Sequence, residues 1–158
     1  MWKLKAPSRT RLLMQSILKN KVPTWDNLNR RGLYGPCWCW NCKDNTESLG
    51  HLFLSCPITI DLWNSILSHT LSSINWRGQK TKEVWANWWS YITPLKARNL
   101  PLLISWEIWI AMNYNIFQDT TPKWPSITAR IIANYSSLPK HEAAPPPRTI
   151  IPVSIDHS

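Results

Sequence analysis

The chain has no cysteine outside residues 37–56. No disulfide can therefore staple distant parts of it. The N-terminal stretch Met1-Trp2-Lys3-Leu4-Lys5 lacks the apolar core of a secretory signal. Both absences point to an intracellular, reducing compartment, the nucleus among the candidates. Clustered thiols there serve as metal ligands more often than as disulfides. Glycine is scarce, at four residues, and no Gly-rich phosphate loop of the Walker type is present. The nine acidic residues are scattered. They form no Tyr-x-Asp-Asp-like pair for polymerase metals, and a two-metal nuclease needs several carboxylates converging on one pocket. There is no internal repeat. The strongly apolar stretch Leu100–Met112 is too short to span a bilayer and contains Glu107, so it reads as a buried helix.

What is present is a run of four soft or borderline ligands, Cys39-x2-Cys42-x8-His51-x4-Cys56. Thiolate sulfur and imidazole nitrogen suit zinc, and four protein ligands close a tetrahedral site with no position left for substrate. The expectation is a structural zinc site whose metal drives folding, worth roughly 10–16 kcal/mol in zinc-finger peptides. Cys37 is the surplus thiol. It could replace Cys39, although a Cys37-x4-Cys42 pair is a looser chelate. The bland alternative is four reduced cysteines beside an unrelated histidine. His69, His141 and His157 have no evident partners. Thiol catalysis by Cys37 lacks a visible ordered base.

The flanking residues carry a resemblance. Thr24-Trp25-Asp26-Asn27-Leu28-Asn29-Arg30-Arg31-Gly32 precedes Gly35-Pro36-Cys37-Trp38-Cys39-Trp40-Asn41-Cys42. Glu47-Ser48, His51-Leu52-Phe53-Leu54-Ser55-Cys56 and Trp63 follow. This resembles the zinc-binding domain that follows the reverse transcriptase in plant non-LTR retrotransposon polyproteins, over about residues 1–63. A weaker similarity continues through Trp106-Glu107-Ile108-Trp109 and Asn113-Tyr114-Asn115-Ile116-Phe117, with Met112 where that family has arginine. The resemblance implies Cys39, Cys42, His51 and Cys56 as the zinc ligands, with Cys37 at a variant position. It also implies a nucleic-acid context and a neighbouring reverse transcriptase as partner.

Charge is uneven. The formal net charge is +9. Residues 1–31 carry Lys3, Lys5, Arg9, Arg11, Lys19, Lys21, Arg30 and Arg31 against Asp26, a net +7 before the cysteines begin. Such a segment can neutralise phosphates and release counterions, which gives salt-dependent, largely sequence-neutral binding. The alternative is a solvated face that keeps the protein soluble. Twelve tryptophans are present. Trp85 with Trp88 and Trp89, and Trp106 with Trp109, fall on single helix faces. They read as core. Base stacking is the alternative, and it requires an accompanying basic groove.

Along the chain the pattern predicts a mainly α fold. Ser8 caps a helix to about Asn20, with Leu12, Leu13, Ile17 and Leu18 as its apolar side. Thr24 caps a short helix that Gly32 closes. Residues 33–45 form the metal loop, and Thr46 or Ser48 caps a helix carrying His51 to about Ser55. Pro57 opens a helix bearing Ile60, Trp63, Ile66 and Leu67. Residues 72–80 read as a polar connector containing Gly78. Helices follow at Thr81–Thr93, from Pro101 to about Gln118, and at Ser126–Ser136. The organisation expected is a zinc-stabilised helical module at 1–70, a Trp-rich helical segment at 81–138 and a flexible Pro-rich tail at 139–158. The function expected is non-enzymatic binding of RNA or DNA through Lys19, Lys21, Arg30 and Arg31. The alternatives are a protein-interaction scaffold and a truncated retroelement relic without a present role.

Overall fold

The computed structural model describes residues 7–71, 74–77, 83–91 and 95–139. The Pro-rich tail beyond 139, Gly78, Lys3 and Lys5 lie outside the described residues. Helix α1 spans Ser8–Leu18 and buries Leu13, Met14 and Ile17, while Leu12 faces out. Ser8 is the first helical residue and not its cap. Pro7 takes the cap position, and the Thr10 hydroxyl donates to the Pro7 carbonyl at 2.6 Å. Asn20, at φ +53°, turns the chain out of the helix. Helix α2, Trp25–Arg30, follows Thr24, whose hydroxyl goes to Asp26 and not to the helix backbone. Gly32 closes α2 at φ +82°, as expected of the residue that tolerates left-handed backbone.

The chain then makes a loop with one isolated antiparallel bridge, Trp38 to Thr46. A π-helical turn, His51–Ser55, leads into α3, Pro57–Thr70. Pro57 sits in the first turn of α3, where its missing N–H costs nothing. The buried face of α3 is Thr59, Leu62, Trp63, Ile66 and Leu67, with Ile60 only partly covered. After α4 (Glu83–Tyr91) and a 3-10 turn (Leu95–Asn99), α5 runs Leu100–Gln118 and α6 runs Trp124–Ser137. Among the described residues no helix is long and apolar enough to cross a membrane.

Helix α5 is the central element. It packs on α1, on α6 and on the π-helical turn, and α3 packs on α6. Leu102, Ile104, Ile108 and Met112 of α5 join Leu13, Ile17, Phe53, Trp63 and Ile131 in one hydrophobic core. Helices before and after residue 72 thus share that core. Glu107 is buried and holds Arg130 of α6 through two oxygens, with Nε to Oε1 at 3.1 Å. The paired geometry offsets the cost of burying the carboxylate.

The connector expected at 72–80 behaves differently in its described part. Trp76 is buried, and its ring stacks on Trp63 with centroids 4.1 Å apart and planes 7° from parallel. Trp88 meets both rings edge-on, at 5.5 and 6.4 Å. The Trp76 indole donates to the Leu54 carbonyl at 2.8 Å, and Asn64 holds both backbone groups of Trp76 at 2.7 and 2.8 Å. One large side chain with every polar group satisfied overrides the polar composition around it. The tryptophans of α4 are likewise core: Trp85 and Trp88 are buried, and the Trp88 and Trp89 indoles donate to the carbonyls of Ala97 and Arg98. Trp76→Ala is expected to destabilise the protein by about 3–5 kcal/mol in chemical denaturation. A loss below about 1 kcal/mol would show that the three-tryptophan cluster is not structural.

Candidate metal centre

Cys39, Cys42, His51 and Cys56 come from three stretches of backbone. Cys39 and Cys42 sit in the loop after α2, and Asn45 and Lys43 shape it. The Cys39 amide donates to the Asn45 carbonyl at 2.7 Å, and the Lys43 amide donates to the Cys39 carbonyl at 2.8 Å. Lys43 takes left-handed backbone at φ +58°. This folds the loop back so that both thiols point inward.

His51 and Cys56 bracket the π-helical turn. The Cys56 amide donates to the His51 carbonyl at 2.7 Å, a bond spanning five residues. In an α-helix, at about 100° per residue, two positions five apart lie on well-separated faces. The wider π turn brings them back to one side, a distortion found often at functional sites. The helix expected here is thus present, but in the form that aligns the two donors. Ser48 starts it, its hydroxyl accepting from the His51 amide at 3.1 Å. Of the two caps expected, Ser48 is the one used.

The ligand atoms of the four residues all lie within 4.8 Å of one another. Cys39 Sγ is 4.0 Å from Cys56 Sγ, and Cys42 Sγ is 3.3 Å from His51 Nε2. A zinc–sulfur bond of about 2.3 Å sets the edges of a tetrahedron at about 3.8 Å. Three sulfurs and one nitrogen at these separations fit a closed tetrahedral site for zinc. Cys37 falls outside the group; it is exposed, with its sulfur 3.6 Å from the Gly35 carbonyl.

The electrostatics agree with a site made for a cation. The Cys39 thiol is pushed far up, first by donating its proton to Cys56 and then by burial, while the amides of Cys42 and Asn41 oppose the rise. The Cys56 thiol is lowered, first by that same hydrogen bond and, against the effect of burial, by the Thr59 and Ile58 amides at the start of α3. A helix N-terminus aimed at sulfur favours thiolate. Burial lowers the His51 pKa, so the ring is held neutral, the form that ligates metal. A divalent ion can take the place of the proton that Cys39 shares with Cys56.

Two neighbours support the site. Glu47 is buried, and its Oε1 accepts from the Trp25 amide at 3.2 Å, so it caps α2 from 22 residues away. Burial pushes this carboxyl up, against the pull of the Trp25 and Trp40 amides. Gly35 lies under the Trp25 ring: a Cβ there would sit 2.1 Å from a ring carbon. The cap role expected of Thr24 thus belongs to Glu47, which pattern reading along the helix itself could not find.

The four cations expected to bind nucleic acid are all exposed. Asn27 gathers three of them at one corner. Its amide donates to the Asn20 carbonyl at 3.1 Å and to the Val22 carbonyl at 2.8 Å, which fixes the Lys19–Lys21 turn beside α2. Arg30 Nη1 lies 3.5 Å from Asn27 Oδ1, and its Nη2 lies 3.8 Å from Asp26 Oδ2. Arg31 follows at the end of α2. His69 is exposed and takes no part in the site; its Nδ1 lies 2.8 Å from the Ser65 carbonyl.

The donor set fixes the sign of the pH response. Unfolded chain binds a proton on His51 near pH 6.5, and the folded chain binds it only at lower pH. The contribution of this group to stability is therefore complete above that pH and is lost as the pH falls below it. Proton competition for the thiolates acts in the same direction. Zinc release, followed with a chromogenic chelator, is expected to rise steeply as the pH is lowered from about 7 to about 5. Release independent of pH would contradict a thiolate-and-imidazole site.

No curated protein and no solved structure matches the chain. A family description does match: residues 1–63 fit the model of the zinc-binding domain in reverse transcriptase, zf-RVT. The matched stretch contains all four clustered donors, so the likeness to that zinc-binding family and the geometry of the cluster fall on the same residues.

Proposed function

We propose that this protein is a non-catalytic, zinc-stabilised module that binds RNA or DNA. Zinc on Cys39, Cys42, His51 and Cys56 holds the loop against the start of α3, and a basic corner contacts phosphate. The observation that carries the reading is that corner. Lys19, Lys21 and Arg30 surround one hydrogen-bonded turn, and Arg31 stands next to them, all open to solvent. Asp26 pairs with Arg30 at 3.8 Å, a partly exposed contact that holds the guanidinium only weakly. Cations so placed bind phosphates through counterion release, without reading sequence.

The plant and non-LTR assignment belongs to this reading, as does a neighbouring reverse transcriptase as partner. Protein docking has support of its own in Leu33, Tyr34 and Trp38, apolar side chains at least half exposed around the metal loop. Of the α4 tryptophans, Trp85 and Trp88 are enclosed and Trp89 is partly buried.

Replacing Lys19, Lys21, Arg30 and Arg31 together by alanine tests the proposal. If all four touch phosphate, the slope of log affinity for single-stranded RNA against log salt falls by about 3. Binding and slope equal to those of the unaltered protein would remove the basic corner from consideration.

A further inference from the structure

Between α1 and α5 lies an open cleft of about 370 Å³. Its walls include Arg9, Leu12, Ser16 and Lys21 on one side and Trp106 and Trp109 on the other. No acidic side chain lines it. Trp106 and Trp109 are three residues apart on α5, so they stand on adjacent turns of one face. Both are only partly buried, although they pack against the core. Leu12 is 61% exposed on the opposite wall. The chain thus joins a pair of accessible aromatic rings to a basic rim, the combination that stacking on bases requires.

We propose that this cleft seats a single-stranded nucleic acid, with bases against Trp106 and Trp109 and phosphates on Arg9 and Lys21. The inference rests on the nucleic-acid reading above and gives it a location and a strand preference. Charge complementarity selects the occupant: the cleft offers cations and no acids, and the +9 chain continues the positive charge through Lys19. An aromatic face tolerates every base, because each presents a π-surface. A duplex keeps its bases stacked on one another and cannot present them to the tryptophans. Lys21 belongs to both the cleft and the basic corner, so one strand can run from one to the other.

The test uses the full, zinc-loaded chain and fluorescence anisotropy with short labelled strands of RNA and of DNA, and with the duplex. Leu12→Glu places a negative charge on the exposed wall, where the fold tolerates it. Trp109→Leu removes a stacking face and keeps apolar bulk. Each is expected to weaken single-strand binding roughly tenfold, with Trp109→Leu leaving the salt slope unchanged. Arg9→Gln is expected to lower that slope by about 0.7. A loss confined to RNA or to DNA supports the cleft equally and identifies the sugar it accepts.

Full affinity in Leu12→Glu and Trp109→Leu, with affinity lost on replacing Arg30 and Arg31, overturns the cleft and leaves the basic corner standing. Duplex bound as tightly as single strand overturns it too. An unaltered protein that binds neither strand overturns both readings. Zinc content and near-ultraviolet circular dichroism confirm the fold of each variant, and Leu12→Glu decides if Trp109→Leu fails to fold.

Discussion

Four donor atoms from loop, turn and helix end lie within 4.8 Å of one another, and the early part of the chain is arranged around that convergence. Deprotonating neighbouring thiols in a partly buried space is unfavourable without a cation. The upward shift of Cys39, from its hydrogen bond to Cys56 and then from burial, expresses that cost. A divalent ion converts the same crowding into attraction. The surrounding backbone is shaped to the same end. The π-helical turn aligns His51 with Cys56, Lys43 folds the loop, and the first amides of α3 face the Cys56 sulfur.

Rigidity passes outward from the cluster along two routes. Glu47, four residues before His51, caps α2 through the Trp25 amide, and Asn27 on α2 fixes the Lys19–Lys21 turn. The basic corner is thus tied to the metal loop by a short chain of partly buried polar contacts. The second route is apolar. Leu54 in the π-helical turn accepts from the Trp76 indole, and Trp76 stacks on Trp63 and meets Trp88. Aromatic contacts of this kind add about 0.5–1.5 kcal/mol each beyond the area they bury. They connect the zinc-binding stretch to α4, and α5 then presents Trp106 and Trp109 opposite α1.

Much of this was legible in the residues. The helix openings at Pro57 and Pro101 and the closure at Gly32 follow from proline and glycine backbone preferences, and the structure places them there. The ligand quartet was legible because metal chemistry restricts both residue type and spacing. Three features were not. The π turn has no local signature distinct from an α-helix. The Glu47 cap joins positions 22 residues apart, beyond any local pattern. Trp76 stands in a polar stretch, and only its tertiary partners reveal it as core. Trp106 and Trp109 read as core from periodicity alone; their half-exposed position beside Arg9 and Lys21 depends on how α1 crosses α5.

The central claim is that the four donors hold one structural zinc on which the fold depends. Elemental analysis of the purified protein and of Cys42→Ala, with circular dichroism on both, tests it most directly. One zinc per chain is expected in the unaltered protein, and loss of both metal and cooperative folding in the variant. A well-folded, metal-free protein, or a Cys42→Ala variant that keeps its zinc and its fold, would contradict it.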